Sequence, residues 1–297
     1  MNRFFALLRV VRPHIIIGGI IGYSIGALLG NKNGVIYPWR IFLGYLVMSF
    51  IDLSTHYSND YYDRFYDKKS NWKPYGGGNL LSSEPELAPF LIVVAIGCSF
   101  VSLVIASHLI INKGVNHGLL GLSVLGNLMG WGYSHPRIYL KAKGLGEMAI
   151  AIGTGFIIPS IGYITVNDTI SYEIIKFMIP LIMYGFILSI YLEIPDIEID
   201  RQNGIRNLSV RLGVDIVMKI CLILPFICTI YYLIRSVTLI DIQRLIMLSL
   251  IPTGACLITV VRGVNSRKVV EDNSFLVITA LFVYLIGLLL VVISQVF

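Results

Sequence analysis

Apolar residues run in long uninterrupted blocks, each closed by a short polar stretch. A block of about 20 apolar residues matches a helix that crosses the hydrocarbon core of a bilayer. The blocks predict nine spans, near 14–31, 41–58, 88–111, 115–134, 148–166, 177–194, 217–234, 245–261 and 274–296. Lys176, Lys219 and Arg235 flank the two shortest, the sixth and seventh, and long basic side chains can snorkel to the headgroups there. The period-2 alternation of a membrane barrel is absent. The pattern therefore predicts an all-α membrane protein of nine transmembrane helices, forming a single domain over 1–297.

Composition agrees. Only 13% of the 297 residues are charged and 56% are hydrophobic, against about 25% charged in soluble domains. That charge is too little to coat a water-soluble fold. The net charge of +6 comes without a basic helix interleaved with aromatics, so no nucleic-acid partner is expected, and no obligatory protein partner is evident. Cys98, Cys221, Cys228 and Cys256 all lie inside apolar blocks with no C-x-x-C pair, and read as packing residues. Arg9 and Arg12 break up the apolar patch Phe4 to Val11, which reads as an interfacial lead-in helix rather than a cleaved signal.

Charge does set the topology. Of the 23 Lys and Arg, only Lys32, Arg40, Lys113, Lys176, Arg235 and Arg244 fall on one side of the alternating spans. Basic residues collect in cytoplasmic loops. The bias predicts a multi-pass protein of the cell membrane with a cytoplasmic N-terminus and the C-terminus outside. The longer loops 59–87, 135–147 and 195–216 then share the cytoplasmic side.

Two of those loops begin with acids. Asn59, Asp63 and Asp67 recur at i, i+4 and i+8, on one helix face, with Asp60 beside them. Asp196 and Asp200 repeat the spacing after the sixth span, and the offsets from Asn59 to Asp196 and from Asp63 to Asp200 are equal, which suggests an internal pseudo-repeat. Carboxylates on one face repel unless a cation sits between them. Oxygen-only ligands suit a hard cation, and Mg²⁺ typically takes one or two carboxylates plus substrate phosphates. The sequence thus points to a diphosphate clamped between two metal-bearing faces.

Basic and aromatic residues surround the acids. Arg137, Lys141 and Lys143 follow Tyr133 and Ser134 in one loop; Arg201, Arg206 and Arg211 follow Asp200 in another; Lys68 follows Asp67. Guanidinium and ammonium groups would hold the charge the metal leaves unneutralised. Tyr61, Tyr62, Tyr66 and Tyr133 offer π faces to an allylic cation, though an interfacial tyrosine belt explains Tyr61 and Tyr62 equally well. His56 shares the face of Asn59 and Asp63, with Asp52 one turn deeper, and such an ionisable pair should face a cavity. Asn127, Trp131 and Ser134 share a face of the fourth span and read as pocket lining. Gly76–Gly78 reads as a hinge or a backbone phosphate contact.

The motifs resemble the UbiA-type membrane prenyltransferases. Asn59-Asp60-x-x-Asp63-x-x-x-Asp67 is similar to their first motif, and Asp196-x-x-x-Asp200, with Gly204 and Asn207 to Gly213, to their second. The resemblance implies transfer of a prenyl chain from an isoprenyl diphosphate to an acceptor, usually aromatic, with Mg²⁺, beside membrane lipid. By position, Asn59, Asp63, Asp196 and Asp200 would hold metal, with Asp60 and Asp67 supporting them. Asp63, Asp200, Tyr133 and Arg137 would carry catalysis. Arg12, His56, Lys68, Ser134, Lys141, Lys143, Arg201 and Arg206 would bind substrate. The second-motif tail and Gly144-Leu145-Gly146-Glu147 most resemble the dihydroxynaphthoate (menaquinone-type) enzymes, although Glu193-Ile194-Pro195 stands where those often carry an asparagine pair and an arginine. A lipid alcohol such as a prenylglycerol phosphate is the alternative acceptor. A cation-coupled transporter is the alternative class, disfavoured because the acids gather at helix ends rather than at the midplane.

Overall fold

The computed structural model describes residues 10, 13–31, 37–64, 80–167, 169–235 and 241–296, among which there is no strand. A long helix lies over each predicted apolar block. In order, the helices are α1 (Pro13–Gly30), α2 (Pro38–Asp63), α3 (Ala88–Lys113), α4 (Gly118–Ser134), α5 (Gly146–Val166) and α6 (Tyr172–Glu193). Two short helices follow, α7 (Ile197–Gln202) and α8 (Leu208–Leu212), and then α9 (Val214–Arg235), α10 (Ile242–Arg262) and α11 (Arg267–Val296). Local signals set several ends. Pro38 opens α2, where its missing N–H costs nothing. Ser171 accepts the Ile174 N–H at the start of α6. Gly114, at φ 66°, takes the left-handed turn that stops α3.

Among the described residues, six helical segments are long and apolar enough to cross a membrane: Pro85–Lys113, Gly146–Val166, Tyr172–Gln202, Val214–Ile234, Ile242–Arg262 and Arg267–Val296, with Ile15–Gly30 a shorter apolar helix. Two further helices stand apart for physical reasons. α2 has the length, at 26 residues, but its second half is polar from Asp52 to Asp63; α4 has only 17 residues.

The bundle closes on itself, because α11 packs against α1, α1 against α5, and α5 against α6, while α2 packs on α3 and α4. The α1–α5 crossing is a backbone contact. A Cβ on Gly26 would stand 1.9 Å from the Pro159 carbonyl oxygen, and one on Gly162 would stand 2.1 Å from that of Tyr23. Small residues permit such approaches between membrane helices. Outward-facing Val93, Phe100, Ile111, Leu128, Met247, Val261 and Leu290 are exposed. So much exposed apolar surface requires an apolar surrounding, and the protein is a multi-pass membrane protein.

One sequence reading is corrected here. Trp131 and Asn127 do not line the large cavity of the bundle. Trp131 Nε1 donates to Ser54 Oγ and Ser99 Oγ, both at 2.9 Å, and Asn127 Nδ2 donates to Ser102 Oγ at 3.0 Å. These bonds tie α2, α3 and α4 together, a polar fastening inside an apolar interface.

Candidate active site

The polar end of α2 and the α6–α7 junction line one cavity of about 400 Å³. Asp52, His56, Asn59, Asp60 and Asp63 reach it from α2, at the three- and four-residue steps that keep one helix face inward. Asp196 and Asp200 reach it from the other side, where a 3₁₀ turn over Ile194–Asp196 joins α6 to α7. Tyr133, Lys141 and Glu193 complete the polar end. The opposite end is apolar, lined by Gly18 and Gly22 of α1, Ile157 and Ile161 of α5, Leu188 of α6 and Leu285 of α11.

The acids are held, not solvated. Asp60, Asp63 and Asp200 are all buried, none more than 6% exposed. Asp63 Oδ2 accepts the Ser134 hydroxyl at 2.9 Å and faces Lys141 Nζ at 3.8 Å. Asp63 Oδ1 is buried with no hydrogen-bond partner. Asp200 Oδ2 accepts from Asn207 Nδ2 at 2.7 Å and stands within electrostatic reach of Lys141, Asp196 and Asp63. Two further contacts lie deeper: His56 Nε2 is 3.4 Å from Asp52 Oδ1, and the Tyr133 hydroxyl donates to Glu193 Oε1 at 3.2 Å.

Lys141 is placed by its loop. The Leu140 N–H donates to the Gly132 carbonyl, and the Arg206 N–H donates to the Ala142 carbonyl, so the loops after α4 and α7 are joined through main chain. Tyr139 takes a left-handed conformation at φ 48°, an uncommon one for a residue with a bulky side chain. The loop therefore spends backbone strain two residues before the cation that meets Asp63.

Other sequence candidates lie elsewhere. Arg137, Lys143, Arg201 and Arg206 are exposed and do not line the cavity. Arg201 instead pairs with exposed Glu198 at 3.1 Å, and the Lys143 carbonyl accepts from Arg211 at 2.8 Å. Tyr61 and Tyr62 also stand outside the cavity, in an edge-on cluster with Trp131 and His135. Arg12, Tyr66, Asp67, Lys68 and Gly76–Gly78 lie outside the described residues.

Sequence reasoning passed over Glu193 as a site residue, along with Asn207 and Glu147. The signal for Glu193 was present: an acid inside the end of an apolar block is costly unless it faces a cavity. Asn207 works twice. Its Oδ1 accepts the Val210 N–H, capping α8, while its Nδ2 holds Asp200. Glu147 Oε1 accepts the neighbouring Leu208 N–H, so the Gly144–Glu147 stretch and the second-motif tail bind each other. Asn207→Ser separates the two tasks of Asn207. It keeps the cap, which is worth about 1 kcal/mol, so the melting temperature in detergent should stay near wild type. It loses the bond to Asp200, and turnover should fall about tenfold, the equivalent of one hydrogen bond of about 1.4 kcal/mol.

The donor set suits a hard cation. Among the described residues no three His, Cys, Asp or Glu side chains converge to hold a metal by themselves. The carboxylates are instead divided between two walls, Asp52, Asp60 and Asp63 on one and Glu193, Asp196 and Asp200 on the other, and Asp63 keeps a buried oxygen without a hydrogen-bond partner. That arrangement fits Mg²⁺ completed by substrate phosphates rather than an all-protein cage.

Solved structures share the fold. A digeranylgeranylglyceryl phosphate synthase superposes with a TM-score of 0.70 at 18% identity, over 99% of this chain and 100% of its own. A UbiA homologue from Archaeoglobus fulgidus, solved with DMAPP and Mg²⁺, gives a TM-score of 0.68 at 18% identity over 94% of this chain and 98% of its own. The apo UbiA homologue of Aeropyrum pernix K1 gives 0.70 at 14% identity over 94% and 98%. No curated protein is significantly similar in sequence. At these identities the structural likeness speaks for the fold alone. Membership rests on the sequence itself: residues 20–290 match the model of the UbiA prenyltransferase family, and the chain belongs to that family of prenyl-transferring enzymes.

Proposed function

We propose that the protein transfers a prenyl chain from an isoprenyl diphosphate to an aromatic acceptor, a quinone precursor of the dihydroxynaphthoate kind, in a Mg²⁺-dependent reaction at the cytoplasmic face. One observation carries the reading: both acidic faces line the same cavity, and its far wall is apolar. Asn59, Asp60, Asp63, Asp196 and Asp200 hold the metal-bound diphosphate end, with Asp67 completing the first motif. Bound Mg²⁺ would neutralise the diphosphate and make it a better leaving group. Lys141 adds a cation at the same end, Ser134 fixes Asp63, and Asn207 fixes Asp200. The apolar wall takes the prenyl tail and excludes water from the bond that breaks. Tyr133 presents a π face there to charge developing on the allylic carbon.

A. fulgidus homologues solved with DMAPP or GPP and Mg²⁺ support the donor and the metal. The acceptor class rests on the likeness of the Gly144–Glu147 stretch and the second-motif tail to the dihydroxynaphthoate enzymes. In this reading all nine apolar helices cross the membrane, with the N-terminus cytoplasmic and the C-terminus outside.

Purified protein in lipid vesicles, offered geranyl diphosphate with dihydroxynaphthoate, other phenolic acids and a glycerol phosphate ether, tests this by product mass spectrometry. A prenylated aromatic product that disappears with a chelator and returns with Mg²⁺ is expected. Product on the glycerol ether alone would move the assignment to lipid alcohols.

A further inference from the structure

Diphosphate binding leaves two acids of the cavity unused, Asp52, which faces His56, and Glu193. Glu193 is buried at 6% exposure and lines the cavity beside the α6–α7 junction. Its Oε1 accepts the Tyr133 hydroxyl at 3.2 Å, while Oε2 is buried with no hydrogen-bond partner. Among the described residues no Lys, Arg or His forms an ion pair with it. An unsatisfied buried carboxylate oxygen is costly to keep, and a ligand group that donates a hydrogen bond would satisfy it. Glu193 also lies one helical step before Asp196, while Tyr133 adjoins Ser134, the residue that holds Asp63. The Tyr133–Glu193 pair thus bridges the two acidic faces.

We propose that Glu193 is the proton acceptor of the transfer step and takes the hydroxyl proton of the prenyl acceptor. The idea rests on the transfer reaction proposed above. The bond changes balance without any further reactant. As the acceptor O–H proton moves to Oε2, its bonding pair becomes the C=O of a ring ketone. The ring π pair forms the new bond to prenyl C1, and the C1–O pair leaves with the diphosphate. The ketone then regains aromaticity as the alkylated carbon releases its proton to the departing diphosphate, or its carboxylate as CO₂; the freed bonding pair rebuilds the ring, and the ketone oxygen takes its proton back from Glu193. Tyr133 is the positioning residue, since its hydroxyl fixes Oε1 and leaves Oε2 without a hydrogen-bond partner. The Asp52–His56 pair is the rival base, but His56 already faces a carboxylate of its own.

Groups from every neighbouring element act on Glu193: Glu147 from α5, Lys141 from the loop after α4, Asp200 from α7 and Tyr133 from α4. The pH profile of the wild type is therefore read only against variants that leave these four unchanged. With geranyl diphosphate, Mg²⁺ and a hydroxynaphthoate acceptor, Glu193→Gln should lower kcat by about 10²–10⁴-fold, the usual worth of a positioned base. KM for the diphosphate should hardly move. The acidic limb of the kcat profile should vanish, and a ring-fluorinated acceptor with a more acidic hydroxyl should restore part of the rate.

Retention of the limb in Glu193→Gln, or no rescue by the acidic acceptor, would make Glu193 structural and overturn the proposal. Loss of the limb in His56→Gln instead would transfer the role to His56. If Glu193→Gln does not fold, Glu193→Asp carries the comparison, with reduced kcat and a retained limb expected; unchanged kcat overturns it. Titration of geranyl diphosphate with Mg²⁺ separates the two readings. A wild type that binds the donor but alkylates only a lipid alcohol refutes the aromatic acceptor, and the same Glu193→Gln comparison on that alcohol then decides the role of Glu193.

Discussion

Asp63→Asn and Asp200→Asn should each cut prenyl transfer by about 10²–10³-fold, the scale of losing one preorganised electrostatic contact to a leaving group. Both changes keep shape and remove charge. An amide oxygen at residue 63 can still accept from Ser134, and one at 200 can still accept from Asn207, so local packing survives. What goes is the anion facing Lys141 at 3.8 Å, and with it the metal-binding wall. Stability should not follow activity downward. A buried carboxylate with one oxygen unsatisfied is a cost to the fold, so the melting temperature of Asp63→Asn in detergent should equal or exceed that of the wild type. Stability exchanged for function in this way is expected where acids are gathered for binding rather than packing. Full turnover in either variant would remove the clamp from the mechanism.

The second large effect concerns folding. Gly26→Leu and Gly162→Val should each abolish monodisperse protein in detergent, seen by size-exclusion chromatography, because the new atoms meet main chain and not a yielding side chain. Overpacking of a core costs about 1–3 kcal/mol where side chains can adjust. At Gly26 the obstacle is the Pro159 carbonyl, and α1 and α5 could part only by opening the wall of the cavity. Gly121→Ala on α4 is the control: its Cβ would meet nothing within 4 Å, and alanine favours a helix over glycine by up to about 1 kcal/mol.

The sequence displayed these features unequally. Apolar blocks carry their own length, so a helix was legible at every span. The acidic faces were legible because Asn59 and Asp63, like Asp196 and Asp200, stand four residues apart on a helix, a spacing that fixes direction. The choice among Arg137, Lys141 and Lys143 was not legible. It depends on a left-handed Tyr139 and on an Arg206–Ala142 main-chain bond between loops far apart in the chain, and neither leaves a mark in residue type. Tyr61 and Tyr62 illustrate a related limit. They neighbour Asp60 and Asp63 in sequence, but a helix turns about 100° per residue, which carries both rings away from the cavity and onto Trp131 and His135. Glu193 was seen only as a departure from a motif, because its use depends on Tyr133 arriving from another helix.

The fifth helix carries a wide π turn over Gly153–Ile157, and that turn keeps its cavity face in line. Ala149, Gly153, Ile157 and Ile161 all face the ligand space, at steps of four residues. A plain α-helix would drift by about 40° at each such step, about 120° over the three. The single extra residue of a π turn takes back about 100° of that rotation. Tunnel shape along this wall is therefore set by phase as well as by side-chain size: winding the turn into plain α-helix with all its residues kept would swing Ile157, Ile158 and Ile161 by about 100° together, whereas deleting one residue from it would leave all three facing the tunnel.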